Sequence, residues 1–321
     1  MAEKFALTLD SSQISTFLEC PELWNNKYNK LLEPLYFKEN EAMSRGTYGH
    51  KLLDIYYRMR SRHLSQNDAF DKMLDYDPDN DTCECGCSKD FHCPVGDVVE
   101  CRKCKKCMAF RPIPFVLNKK DRDKVIKRLR DYYKEWYEND IVPQSEYDVE
   151  VGFTKKIYED DDNIFSLEGR IDVIGRYQGI DVIMDHKFQG QTYWLYQKSI
   201  QFKNYCLVTN CTTAIINYIR LTDKIEKNIT LNRTPVSFNR LELQAWYKRL
   251  IDIFFRVKKM KQAGTYDHNW NSCTGWGLTY KLDEPKYCVY TPLCEEIHKE
   301  QAEIKEKELY KIKSKAWVPW E

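Results

Sequence analysis

Apolar positions along the chain change their period at several points, and those changes predict its elements. Between Ser11 and Lys30, Ile14, Phe17 and Leu18 recur at helical spacing, which predicts a helix interrupted at Cys20-Pro21. Lys51 to Arg62 predicts a second helix, opened by Gly46-Thr-Tyr-Gly-His50, with His50, Leu53 and Tyr57 on one stripe. A third spans Lys119 to Asn139, where Val125, Leu129, Tyr132 and Trp136 share a face. From Tyr147 the period drops to two. Tyr147 to Thr154 predicts a strand carrying Glu150. Further on, Ile171 and Val173, then Val182 and Met184, alternate with polar neighbours on either side of Gln178-Gly179, which predicts two strands joined by a tight turn. Thr213 to Leu221 and Pro235 to Asn239 predict further strands, Leu241 to Ala263 a long helix, and Lys299 to Lys313 a charged terminal one. This mixture predicts an α/β fold, a mixed sheet flanked by helices.

The hairpin carries the chemistry. Its centre reads Glu168-Gly-Arg-Ile-Asp172, then Ile183-Met-Asp185-His-Lys187. Period-2 alternation puts Asp185 and Lys187 on one face and His186 on the other, so Asp172 and Asp185 can converge beside Lys187. Two close carboxylates raise each other's pKa unless a cation neutralises them, and Mg²⁺ or Mn²⁺ suits such oxygen ligands. The backbone carbonyl of His186 lies between Asp185 and Lys187 and can supply a third oxygen. Lys187 can orient or help deprotonate a water aimed at a phosphodiester. The next predicted helix sets Gln201 and Tyr205 one turn apart on one face. Glu150 either supports this site from a neighbouring strand or is a charged edge residue.

The order Gly-Arg-Ile-Asp, Asp-x-Lys, Gln-x-x-x-Tyr resembles the RecB-type nucleases of the PD-(D/E)XK superfamily. The likeness runs from Ser11 to Cys294, apart from a cysteine-rich insert that resembles an addition seen in some phage members. It implies a PD-(D/E)XK core and metal-dependent DNA hydrolysis, exonucleolytic and directed at single strands or ends, in recombination, repair or phage DNA processing. It also implies a metal-binding histidine at a Gly-x-x-x-His helix start, which Gly46 to His50 matches. Asp172, Asp185 and His50 would then hold the metal, Lys187 would act on the water, and Gln201 and Tyr205 would position the site or the strand. A nitrogen ligand tilts preference toward Mn²⁺. A reading of another class keeps the fold as the scaffold of a non-catalytic DNA-binding subunit in a recombination complex. No Gly-x-x-x-x-Gly-Lys-Ser/Thr occurs, so unwinding would need a separate helicase or recombination protein.

The cysteines alter the picture. The chain has 13, and clusters of thiols in a reducing compartment suggest metal before disulfides. Cys83-Glu-Cys85-Gly-Cys87 to His92-Cys93, then Cys101-Arg-Lys-Cys104-Lys-Lys-Cys107, is too poor in aliphatics to order itself without a tetrahedral Zn²⁺. Cys83, Cys85, Cys101 and Cys104 are the first choice of ligands, with His92, Cys107, Cys87 and Cys93 as alternates. Cys206 and Cys211 read as core residues. Cys20 with Cys273, Cys288 and Cys294 resembles the one-early, three-late layout of a [4Fe–4S] cluster in AddB and the CRISPR adaptation nuclease. Such a cluster would clasp the chain ends, and zinc at the same four thiols is the alternative. Cys273 departs from the family's spacing.

Composition adds bounds. The 321 residues, 42% hydrophobic and 14% aromatic, suffice for a sizeable core. The expected division is a helical part of the nuclease domain at 1–76, a zinc-binding insert at 77–111, and a core at 112–321. A net charge of +1 leaves DNA contact to local patches. One is the start of the Lys119 helix, where Lys119, Lys120, Arg122, Lys124, Lys127, Arg128 and Arg130 crowd together; it is either a solvated face or a phosphate track. No apolar run reaches the ~18 residues of a membrane span, and the first residues lack a signal-peptide pattern. The expectation is a cytoplasmic protein, in the host cytoplasm if phage-encoded, with no membrane partner.

Overall fold

The structure, a computed structural model, describes residues 3–35, 41–76, 92–95, 98–101, 117–137, 139–189, 199–221, 231–270, 288–296 and 298–313. The strands are β1 (Phe5–Leu9), β2 (Leu32–Pro34), β3 (His92–Val95), β4 (Val98–Cys101), β5 (Val149–Glu159), β6 (Asn163–Tyr177), β7 (Ile180–Gln189), β8 (Thr213–Arg220), β9 (Leu231–Ser237) and β10 (Tyr310–Ile312). The helices are α1 (Ser11–Glu19), α2 (Pro21–Trp24), α3 (Glu41–Ser61), α4 (Gln66–Leu74), α5 (Lys119–Trp136), α6 (Ile200–Thr209), α7 (Arg240–Ala263), α8 (Thr291–Cys294) and α9 (Lys299–Leu309).

A six-stranded sheet runs β1-β6-β7-β8-β9, with β5 also on β6. β1 on β6 and β7 on β8 are parallel; β5 on β6, β6 on β7 and β8 on β9 are antiparallel. The mixed sheet flanked by helices is therefore present. Gln178 (φ 52°) and Gly179 (φ 81°) form the turn between β6 and β7. Two successive left-handed residues match the right-handed twist of the flanking strands.

Helices cover both faces. One core joins Tyr48, Leu52, Leu53 and Tyr57 of α3 and Val125 and Leu129 of α5 to Val173, Val182, Met184 and Ile215. The other joins Ile14 and Phe17 of α1 and Leu250, Phe254 and Val257 of α7 to Leu7, Leu9, Phe165 and Leu167. At the margin of the first core, Arg233 of β9 pairs with Asp140 and lies 4.2 Å from the ring centroid of Trp136. A buried ion pair is tolerated when further groups satisfy it, and Arg233 also bonds the Tyr132 hydroxyl.

Several boundaries differ from the periodic expectation. α3 begins at Glu41 rather than Lys51, so His50 sits inside the helix and not at its entrance. Cys20-Pro21 does break the first helix: α1 ends at Glu19, Pro21 starts α2, and a π-helical turn follows at Asn25–Asn29. The terminal helix stops at Leu309, and Tyr310–Ile312 pairs instead with Leu32–Pro34. Here β-branched and aromatic residues next to a free strand edge outweigh the charged helical pattern. β9 spans Leu231–Ser237 and not Pro235 to Asn239, because Asn239 caps α7 by accepting from the Glu242 amide.

Candidate active site

The site lies where two strands part. β6 is 15 residues long and changes partner along one edge. Asn163 to Leu167 pair with β1, whereas pairing with β7 begins only at Val173–Met184. Between these stretches, Glu168 to Ile171 pair with β5 alone among the described strands. From Asp185 onward β7 keeps only β8, with which it pairs from Ile183, and has left β6. The fork leaves backbone groups that need partners, and side chains of the predicted motifs supply them. The His186 amide donates to Asp172 Oδ2 at 2.6 Å. The Tyr205 hydroxyl donates to the Arg170 carbonyl at 2.5 Å.

Gly169 explains its own place in the motif: a Cβ there would sit 2.8 Å from the Phe153 ring and 3.4 Å from Tyr205. Gly49 does the same for α3, since a Cβ would meet the Phe188 ring at 2.4 Å. That close approach carries the next residue, His50, to the fork, where its Nδ1 lies 3.3 Å from Asp172 Oδ2.

Glu150 joins them. It falls between the β5–β6 pairs Val149–Val173 and Val151–Ile171, opposite Asp172, and residues directly opposite share a face. Its φ is +51°, a left-handed conformation that costs a side-chain-bearing residue energy and clusters at functional sites. Ligand atoms of His50, Glu150 and Asp172 all lie within 4.8 Å of one another. Burial and the Asp172 charge push Glu150 up to about 8, despite Arg170 at 2.8 Å. Burial also opposes charge on Asp172, but His50 and the His186 amide outweigh it and hold that carboxyl below its usual range. The donor set fits a divalent cation: two crowded carboxylates and one imidazole nitrogen, with excess negative charge that burial makes costly.

Asp185 is turned elsewhere, its Oδ2 2.6 Å from Lys187 Nζ. Burial raises its pKa, opposed by Lys187 and reinforced by Asp172. Gln201 ties this half together. Its Nε2 donates to Asp185 Oδ1 and to the Tyr205 hydroxyl, both at 2.8 Å, and its Oε1 accepts from Lys187 at 3.1 Å. The His186 ring points to the opposite side of the sheet, 2.7 Å from Asn217 Nδ2 and stacked on Tyr57.

A cleft of about 810 Å³ opens over the fork. Asp10, Ser11, Ser12 and Ser15 line it together with His50, Arg170, Asp172, Asp185, Lys187, Gln201 and Tyr205. Sequence reasoning left Glu150 open and missed the serines: Phe5, Leu7 and Leu9 alternate over the five residues of β1, but nothing local shows that this strand delivers Asp10 and Ser11 to the fork.

Of the remaining candidates, Cys20 is buried, and its Sγ accepts from the Asn269 amide at 3.4 Å. Cys288 and Cys294 pack near Tyr290 and Tyr310. Cys206 is buried and Cys211 partly so. Cys273, Cys83, Cys85, Cys87, Cys104 and Cys107 lie outside the described residues, and of the insert only the β3–β4 backbone is described, with His92 opposite Cys101.

Comparison with known proteins gives the family. The family description of the PD-(D/E)XK nuclease superfamily matches residues 9–295. No curated protein matches. Among solved structures, the "Crystal structure of SSO0001" is 14% identical, covering 40% of this chain and 54% of that one with a TM-score of 0.26, so the chain spans about half of its length. A "Putative exonuclease" from Eubacterium rectale is 12% identical, covering 90% of this chain and 94% of that one with a TM-score of 0.40. Matched over nearly its whole length, the chain belongs to the PD-(D/E)XK nuclease superfamily.

Proposed function

We propose that this nuclease is an exonuclease acting on single strands or DNA ends in recombination, repair or phage DNA processing. The observation that supports it best is the fork itself. It sets His50, Glu150 and Asp172 within one cation's reach, beside the Lys187–Asp185–Gln201 group in the same cleft.

In this reading Asp172, Glu150 and His50 hold Mg²⁺ or Mn²⁺, with Asp185 and the His186 carbonyl completing the site. The cation supplies charge stabilisation for phosphodiester hydrolysis. Lys187, fixed by Asp185 and Gln201, orients the attacking water and stabilises charge at the phosphate. Gln201 and Tyr205 keep the lysine and the open β6 edge in place. Arg170 neutralises Glu150 and faces the strand. The Lys119–Trp136 helix could add a phosphate track, and a separate helicase or recombination protein would supply unwound DNA.

The same reading keeps the division at 1–76, 77–111 and 112–321. It also keeps Zn²⁺ in the insert, held by Cys83, Cys85, Cys101 and Cys104, and a [4Fe–4S] cluster at Cys20, Cys273, Cys288 and Cys294. What supports the clasp is that the chain ends meet: β10 pairs with β2, and Asn269 bonds to Glu19 and Cys20. No helix among the described residues is long and apolar enough to cross a membrane.

The test is cleavage of end-labelled single-stranded, duplex and circular DNA, with Mg²⁺, with Mn²⁺ and with chelator. Metal-dependent release of mononucleotides or short products from linear DNA alone is expected. Cleavage of circles would make it an endonuclease. DNA binding without cleavage under either metal would favour the scaffold reading.

A further inference from the structure

Three residues outside the acid and lysine group form a hydrogen-bonded chain that ends at the cleft. Trp246 of α7 donates from Nε1 to Asn204 Oδ1 at 2.8 Å. Asn204 of α6 donates from Nδ2 to Ser11 Oγ at 3.0 Å. Asn204 is 1% exposed and Trp246 7%; Ser11 is half-buried and lines the cleft.

The direction of this chain is chemically fixed. An amide side chain is commonly ambiguous between its oxygen and nitrogen ends. An indole nitrogen, however, can only donate, so the oxygen of Asn204 must face Trp246. Its NH₂ must then face Ser11. One lone pair of Ser11 Oγ is thereby occupied by a donor, and the hydroxyl proton must leave in another direction. The described residues give that proton no acceptor, and the open side of Ser11 is the cleft.

Polarity matters here because of what a DNA strand offers. Within the strand its backbone carries acceptors and no donors, since the 2′-hydroxyl is missing. A serine able to turn its proton inward would present lone pairs to phosphate oxygens and repel them. We propose that Ser11 is a DNA-contacting residue that donates to a phosphate oxygen of the bound strand. Asn204 and Trp246 are positioning residues that commit it to the donor role. This rests on the nuclease reading of the cleft and deepens it: it assigns Ser11, beside Asp10 at the start of α1, to the strand's backbone.

The arrangement also accounts for two buried polar groups where α6 meets α1 and α7. Asn204 follows Gln201 by one turn and adjoins Tyr205, so the helix that steadies Lys187 also orients a hydroxyl lining the same cleft.

The experiment measures binding of a 5′-fluorescein single-stranded 20-mer by anisotropy, with Ca²⁺ replacing Mg²⁺ to keep the strand intact, and Mn²⁺ affinity by calorimetry. Ser11→Ala should weaken DNA binding roughly tenfold, the low end for a hydrogen bond to a charged group, and leave Mn²⁺ affinity unchanged. Ser11→Thr, which keeps the hydroxyl, should recover most of the loss. Trp246→Phe removes the donor that fixes the amide, so Asn204 can turn over and draw the Ser11 proton inward. It should weaken binding by about twofold or more with Ser11 present and have no effect in Ser11→Ala protein, a non-additive cycle. Equal effects of Trp246→Phe in both backgrounds, or an effect of Ser11→Ala on Mn²⁺ affinity alone, would overturn the inference while leaving the nuclease reading intact. Should Trp246→Phe fail to fold, the Ser11→Ala and Ser11→Thr pair decides: equal losses overturn the inference. Unsubstituted protein that neither binds nor cuts DNA would overturn both.

Discussion

The backbone amide of His186 donates to Asp172 Oδ2 at 2.6 Å, so a carboxylate on β6 closes the gap that opens when β7 leaves it. One oxygen thus serves the fold and faces His50 at the same time.

That double role separates two substitutions. Asp172→Asn keeps an acceptor for the His186 amide and should melt within a few degrees of the unsubstituted protein. Asp172→Ala leaves the amide unpaired at a buried position, which costs about 1–3 kcal/mol. Both should lose Mn²⁺ binding by calorimetry and nearly all cleavage. Equal stabilities for the two variants in denaturant titrations would show that the fork does not depend on this bond.

Lys187 and Asp185 should also separate. Lys187→Ala removes no oxygen ligand, so Mn²⁺ binding should survive while cleavage falls by ~10²–10⁴, the usual contribution of a positioned acid–base group. Asp185→Ala should weaken metal binding as well and leave Lys187 without its partner at 2.6 Å. Calorimetry beside a nuclease assay checks both. Cleavage that survives both substitutions, with contaminating nuclease excluded, would sink the assignment.

Much of this site was legible because its motifs are local. Asp172, Asp185 and Lys187 sit on adjacent strands of one hairpin with a two-residue turn, and Gln201 and Tyr205 on the helix after it, so period and spacing suffice to gather them. Glu150 was not decidable. Its strand was predicted, but the left-handed backbone at φ +51° leaves no mark in the pattern of apolar residues. Ser11, Asn204 and Trp246 were invisible for a different reason: their bonds span 193 and 42 residues of chain, and no periodicity encodes a contact between helices. His50 was found as a residue but misplaced at a helix entrance. Its delivery depends on Gly49 against Phe188, a tertiary fit.

That fit makes the third prediction. Gly49→Ala would put a methyl 2.4 Å from the Phe188 ring, in a helix where alanine is otherwise preferred to glycine by about 1 kcal/mol. Overpacking should dominate and destabilise the protein by roughly 1–3 kcal/mol, while α3 shifts from β7 and Mn²⁺ affinity falls. Gly49→Ala combined with Phe188→Ala should regain metal affinity, because the obstruction is gone. If Gly49→Ala is stabilised in denaturant titrations, helix propensity has won and the close approach is not needed.

The last prediction concerns the cysteines, where local and distant reasoning meet. The early and late parts of the chain are joined independently of any metal: Tyr310 to Ile312 pair with Leu32 to Pro34, and the Tyr290 hydroxyl donates to the Leu32 carbonyl at 2.7 Å. A metal bridging Cys20 to Cys288 and Cys294 would therefore reinforce an existing junction, and its entropic gain from closing a long loop would be small. Cys20→Ala should consequently leave the protein folded and the Asp172 site chemically intact, while removing whatever metal the late thiols share with it. Anaerobically purified protein should be brown, with acid-labile sulfide and about four irons per chain, and Cys20→Ala should bleach it. Colourless protein with a second zinc would refute the cluster and keep the clasp. Colour that persists in Cys273→Ala would put the fourth ligand elsewhere. The insert should behave oppositely. Poor in aliphatic residues, it should lose zinc and order together in Cys101→Ala/Cys104→Ala protein, with iron retained. Zinc content unchanged by that double substitution would show that Cys101 and Cys104 are not its ligands.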